Sequence, residues 1–202
     1  LCAGGYHPAR LTDTEYVTLA SAGNSIQFGD LAEARNAFGG CSSSTRGLFA
    51  GGFSDNAGAP SIAQIDYFEI STLGTALDFG DSVTSRSISG GIPSSTRAVW
   101  GAGTNRVGNP ATLTAVSMMD YSTFASKGNA VEFGNEILSR TTGNGCSSGT
   151  RGVFAGGYGS GAIHSSPKSE ELGRKMSYIT IASTGNAIEF GELSGIRTYI
   201  GS

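Results

Sequence analysis

Glu15-Tyr16-Val17-Thr18-Leu19-Ala20-Ser21-Ala22-Gly23-Asn24 and Ser177-Tyr178-Ile179-Thr180-Ile181-Ala182-Ser183-Thr184-Gly185-Asn186 write one pattern twice, near the two ends of the chain. Each runs on to an apolar-polar-Phe-Gly ending, Ile26-Gln27-Phe28-Gly29 and Ile188-Glu189-Phe190-Gly191. Two further copies lie between them, Tyr67 to Gly80 and Tyr121 to Gly134.

The spacing carries more than the letters. Tyr16, Tyr67, Tyr121 and Tyr178 each precede a Phe by 12 residues: Phe28, Phe79, Phe133 and Phe190. Each Phe precedes an Arg by seven: Arg35, Arg86, Arg140 and Arg197. The first three precede a second Arg by 11, at Arg46, Arg97 and Arg151. A short apolar strand ending in glycine follows, as in Phe49-Ala50-Gly51-Gly52, Trp100-Gly101-Ala102-Gly103 and Phe154-Ala155-Gly156-Gly157, and Cys2-Ala3-Gly4-Gly5 opens the chain in the same way. From that strand to the next Tyr the distance grows, 11, 15, 18 and 21 residues. Insertions are tolerated on exposed loops and punished in packed elements, so each copy has one variable surface loop on a fixed scaffold.

Each copy reads as four short strands, a to d, with repeats at approximately 1–47, 48–98, 99–152 and 153–202. Strand a is rich in small residues (Gly39-Gly40-Cys41-Ser42), and strand b spans 47–53. Strands c and d alternate with period two around a glycine turn such as Thr184-Gly185-Asn186, a hairpin signal. In the fourth copy Ile179 and Ile181 are expected on one side, and Ile188 and Phe190 together on one side of strand d. Only 31–37 looks helix-tolerant. A four-stranded sheet of this size cannot bury both faces, so copies must stack. The expected fold is all-β: a β-propeller of four-stranded antiparallel blades, with a linear solenoid as the rival.

The doublets Gly4-Gly5, Gly51-Gly52 and Gly156-Gly157, with an aromatic in strand c and another in strand d, resemble the kelch repeat. Ala102-Gly103 departs from it, and Phe stands where kelch repeats carry Trp. The fuller wording Cys41-Ser42-Ser43-Ser44-Thr45-Arg46-Gly47 is similar to repeats in tail-fibre and other virion proteins of marine bacteriophages. That resemblance implies a virion or extracellular location more than a mechanism. The chain starts in strand b and stops in strand a. It therefore reads either as a four-bladed ring closed by pairing its ends or as a window from a larger propeller, with the second preferred. An opening Leu1 rather than Met fits a processed or truncated product.

Composition narrows the function classes. The 202 residues carry 32 glycines, only five prolines and a net charge of −3. Glycines at fixed places argue for turns and close backbone packing. No basic run supplies a nucleic-acid footprint, and no apolar stretch reaches membrane-spanning length. The three cysteines, Cys2, Cys41 and Cys146, are too few for a disulfide framework and read as small buried thiols.

No nucleophile elbow, His-Glu-x-x-His or Walker loop is present, so no catalytic residue, cofactor or metal is assigned. The Asp box of sialidase propellers and the Asp-rich calcium loop of integrin-type propellers are also absent. The repeated arginines could form a ring on one face, matched by Asp30, Asp81, Glu136 and Glu192. Residues repeated in every blade more often serve the blade itself, by binding backbone carbonyls or a neighbouring acid.

Strand alternation puts the b–c loops and the d–a segments on one face. A rigid scaffold presenting diverse loops is the layout of a recognition surface. The candidate ligand-binding residues are His7, Arg10, Asp55, Asn56, Asn105, Arg106, Asn109, Tyr158, His164 and Lys168, each an ordinary solvated residue if no ligand binds. The expected function is a non-enzymatic, virion-associated module recognising a host-surface glycan or protein. The alternative is a structural subunit packing against other virion subunits, with homo-oligomerisation open.

Overall fold

The computed structural model describes residues 1–55, 60–88, 90–108, 112–141, 143–159 and 173–198. The protein is all-β, and no helix occurs among the described residues. The four copies give four antiparallel sheets, and each sheet after the first takes its first strand from the end of the preceding copy. The first has three strands, β1 (Cys2–Ala3), β2 (Asp13–Tyr16) and β3 (Ile26–Asp30). A short linker strand follows, β4 (Arg35–Asn36), then β5 (Gly39–Ser42), β6 (Arg46–Ala50) and β7 (Phe53–Ser54). With β8 (Gln64–Glu69) and β9 (Leu77–Asp81), the second sheet takes the order β5-β6-β8-β9, while β7 turns aside to pair with β4.

The third sheet comprises β10 (Gly90–Pro93) and β11 (Arg97–Gly101), then, beyond the hairpin β12 (Thr104–Val107) and β13 (Thr112–Ala115), β14 (Met118–Thr123) and β15 (Val131–Asn135). The fourth comprises β16 (Asn144–Ser147), β17 (Arg151–Ala155), β18 (Lys175–Thr180) and β19 (Ile188–Glu192). The helix-tolerant stretch 31–37 contains β4 instead. Its backbone bonds go sideways to the next copy, where Arg35 faces Ser54 and Asn36 faces Phe53.

The invariant Phe-Gly pair marks a β-bulge in every sheet. Thr14 pairs with Gly29 but Glu15 with Gln27, so Phe28 is the extra residue, and Phe79, Phe133 and Phe190 take the same place. A bulge breaks plain alternation. Phe79 and Phe133 are each 3% exposed while Leu77 and Val131, two residues earlier, are more than half exposed. Ile188 and Phe190 therefore do not share a core face as plain alternation predicts. Each Phe meets its own Tyr edge to face, with centroids 5.7–6.0 Å apart.

Three apolar clusters fill the three junctions between successive sheets. Phe28, Leu31, Phe49 and Phe68 join the first to the second. Tyr67, Phe79, Trp100 and Phe124 belong to the second junction, and Phe133, Phe154, Ile179 and Ile181 to the third. Each fully buried aromatic contributes about 1.5–3 kcal/mol. The junctions also share a hydrogen-bonded clasp. The c–d turn of each sheet donates to the last strand of the sheet before it: Gly74 N–H to Phe28 O at 2.9 Å, Gly128 to Phe79 and Gly185 to Phe133, each at 2.7 Å. Ala76, Ala130 and Ala187 then donate to Asp30, Asp81 and Asn135 carbonyls at 2.7–2.8 Å. A Cβ on Gly29 would run into the Gly74 carbonyl, which is why glycine follows the Phe.

The thiols divide. Cys41 is buried, whereas Cys2 and Cys146 are exposed, which corrects the expectation that all three are buried. Cys41 lies under the next sheet's first strand, so close that a Cβ on Gly91 would sit 2.6 Å from its sulfur. Burial pushes that thiol's pKa up, away from thiolate chemistry.

Candidate functional site

The variable b–c loops and the d–a linkers lie together, because they pair with one another. β4 pairs with β7, Ser87 bridges Thr104, and Thr141 bridges Tyr158, one such link for each of the three junctions. On this face the first and second loops are joined through an ion pair. Arg10 Nη1 lies 2.7 Å from Asp55 Oδ1, and the Arg10 backbone N–H donates to Asp55 Oδ2 at 3.2 Å. Arg10 Nε also donates to Asn36 Oδ1 at 2.8 Å, which fixes the guanidinium against the linker.

The second and third loops are joined differently. Arg106 N–H donates to Ser61 Oγ at 2.8 Å, and Ser61 N–H returns a bond to Arg106 O at 3.2 Å. The Arg106 guanidinium sits over the Phe53 ring, 5.8 Å from its centroid. Two polar atoms here, Asn105 Oδ1 and Arg106 Nε, are buried without a hydrogen-bond partner.

The structure thus brings Arg10 and Asp55 together, and sets Asn105 and Arg106 against the neighbouring loop. His7 is exposed at the tip of the turn closed by the Tyr6–Arg10 bridge, where its N–H donates to Ala9 O at 2.7 Å. Tyr158 is half-buried on the Thr141 bridge. Asn56, Asn109, His164 and Lys168 lie outside the described residues.

The first arginine of each copy forms no surface ring. Arg35, Arg86 and Arg140 are buried, and each crosses a junction to the next sheet. Arg35 Nη2 lies 2.9 Å from Asp66 Oδ2 and also donates to the Gln64 and Phe49 carbonyls. Arg86 Nη2 lies 2.6 Å from Asp120 Oδ1 and donates to the Trp100 carbonyl at 3.4 Å. Arg140 Nε lies 2.8 Å from Glu136 Oε2, and its Nη1 donates to the Gly156 and Lys175 carbonyls. Of the four acids matched to these arginines by sequence proximity, only Glu136 forms such a buried pair. Asp30, Asp81 and Glu192 are two residues past the Phe and take part in the outer strand instead.

Burial dominates the titration of these pairs. It lowers the Arg35 pKa and raises that of Asp66, with each charge opposing the other's desolvation. The Glu136 carboxyl is pushed up to about 7 by burial, against the opposing pull of Arg140 and the Ser177 hydroxyl.

Sequence reasoning missed Asp66 and Asp120, although both directly precede the repeated Tyr, as Glu15 and Ser177 do in the other copies. The second arginines lie over their own sheet's Tyr: Arg46 on Tyr67, Arg97 on Tyr121 and Arg151 on Tyr178, at 4.6–5.3 Å. Arg46 reaches on to Phe124 O at 2.6 Å, and Arg97 to Ile181 O at 3.1 Å in the following sheets.

A cavity of about 560 Å³ lies among the first strands of the sheets, lined by Gly40, Cys41, Ser42, Gly91, Pro93, Gly145, Cys146 and Ser147, with Leu1 beside them. Its lining is largely glycine backbone and apolar side chain. Among the described residues no group of three or more His, Cys, Asp or Glu is placed to hold a metal ion. No helix among them is long and apolar enough to cross a membrane. The chain matches no protein-family model, and no curated protein matches it.

Proposed function

We propose that this chain is a non-enzymatic recognition module, a propeller or propeller segment whose b–c loop face binds a host-surface glycan or protein. The observation that carries this reading is the coincidence of variation and display. The length variation falls in b–c loops, and the described strand ends that lead into three of them pair with the d–a linkers through β4–β7, Ser87–Thr104 and Thr141–Tyr158. A face of rigidly supported, variable loops is where binding surfaces arise on such scaffolds. The radial arrangement is supported by the neighbouring first strands, β5, β10 and β16, gathered at one cavity. The kelch-like repeat and the likeness to virion repeats favour an extracellular or virion setting.

The buried arginines argue against reading the repeats as a charged binding ring, since their charges are spent inside the junctions. Binding would instead use groups such as the Arg10–Asp55 pair and Arg106, which lies over the Phe53 ring. The test is binding of the chain to a glycan array and to intact bacterial cells. Saturable binding that weakens in Asp55→Ala and Arg106→Ala, with the fold retained, is expected. A folded chain that binds neither at high concentration would overturn the reading in favour of a structural subunit. That second reading has its own support: the open apolar edges of the first and fourth sheets.

A further inference from the structure

The three junctions within the chain define a rule, and the two outer sheets carry its unmatched halves. Phe190 is 50% exposed, where Phe28, Phe79 and Phe133 are 6%, 3% and 3% exposed. A Cβ on Gly191 would meet only the Met176 methyl at 3.9 Å, where Gly29, Gly80 and Gly134 each face the next sheet's turn. On the first sheet the opposite half is open. Leu19 is 98% exposed, while its equivalents Ile70, Phe124 and Ile181 are 38%, 4% and 1% exposed.

We propose that the open edge of the fourth sheet receives the first sheet's 18–26 turn from a second copy of this chain. The clasp and charged-pair partners of the internal junctions are present, while the first sheet has no counterpart of β5, β10 and β16. Gly23 N–H would donate to Phe190 O and Ser25 N–H to Glu192 O, as in the three internal clasps. Asn24 Oδ1 would accept from Glu192 N–H, as Asn129 and Asn186 accept from Asp81 and Asn135 at 3.0 Å. Arg197 occupies the place of Arg35 and Arg86, and Glu15 the place of Asp66 and Asp120. Both are exposed, and Glu15 accepts only a weakly demanding bond from Ser25 Oγ at 2.9 Å. Arg151 would reach Leu19 O as Arg97 reaches Ile181 O.

The occupant is a second copy because one chain presents both complementary halves on different sheets, Arg197 on one and Glu15 on the other, and both residues are exposed among the described residues. Such a contact is heterologous, so it closes into a ring or continues as an open assembly. It stands on the repeat junctions alone and is independent of the proposed recognition role.

Sedimentation equilibrium of the 20.5 kDa chain tests it, with masses of at least two chains expected at micromolar concentration. Glu15→Arg and Arg197→Glu should each give folded monomers, checked by circular dichroism. Mixing the two should restore assembly, because each junction in the mixed species is then charge-complementary. A wild-type monomer at all concentrations overturns the proposal, and so does assembly that both variants leave intact. Monomeric variants that fail to reassemble on mixing overturn the Glu15–Arg197 pairing and the junction built on it.

Discussion

Arg140 Nε lies 2.8 Å from Glu136 Oε2, and Glu136 does here the work that Asp66 and Asp120 do for Arg35 and Arg86. Those aspartates come from the strand preceding each Tyr, where the fourth copy has Ser177. Glu136 comes from three residues past Phe133, where the earlier copies have Leu31 and Ser82. One carboxylate per buried guanidinium is kept, and its position in the chain is not. A desolvated Arg needs a charge partner and does not care which strand supplies it.

A transplant follows. Glu136→Ser should destabilise the protein by about 3–5 kcal/mol, because it strands Arg140 in the interior. Adding Ser177→Asp rebuilds the Arg86–Asp120 arrangement, in which Ser82 already fills the Glu136 position. The double variant should recover more than half of the loss in urea unfolding. Additive or worse destabilisation would contradict the account of how the pair is held.

Glu136 also sets a pH dependence. Its pKa rises on folding from an ordinary 4.5 to about 7, so the folded chain holds that proton more tightly than the unfolded one. Its contribution is therefore fully present below about pH 4.5 and is lost as pH rises through about 7. The change is at most about 3 kcal/mol. Unfolding titrations between these pH values should show stability falling in the wild type, and a flatter profile in Glu136→Gln.

The Phe-Gly bulge separates backbone strain from close packing. Gly80 and Gly191 have φ of +140° and +145°, but only Gly80 faces the next sheet's turn. Gly191→Ala should cost about 1–2 kcal/mol of strain in the single chain. Gly80→Ala adds a clash with the Gly128 carbonyl and should cost more than about 3 kcal/mol. Equal losses by calorimetry would mean the turn does not press on the bulge.

The Arg10–Asp55 pair is different in kind, since Asp55 is 45% exposed. Screened surface pairs contribute about 0–1 kcal/mol. Asp55→Ala should leave the melting temperature within a few degrees of the wild type, so any loss of ligand binding in that variant reports on binding rather than folding. A large drop in melting temperature would show that the loop pair is structural.

The strand framework was legible because the Tyr-to-Phe and Phe-to-Arg distances do not change between copies. The bulge was not, because period-two counting puts Phe190 on the side of Ile188, and only the paired strand reveals the extra residue at Phe190. The arginines were legible as repeated, but their partners were sought among nearby acids. Asp66 is 31 residues from Arg35 and meets it through the fold alone. The loop face was legible as variable; which loops interlock depends on Asn36 and Ser61, which no repeat singles out.

The proposed turning of the sheets about one axis is open to spin-label distances among equivalent turns. Thr45, Thr96 and Thr150 are exposed at the a–b turns of the second, third and fourth sheets. With Cys2 and Cys146 replaced by serine, each pair of these threonines would be changed to cysteine and labelled. Sheets turning about an axis predict a 45-to-150 distance well below the sum of the other two. A distance equal to that sum would mean the sheets are piled in a line, and the account would fail.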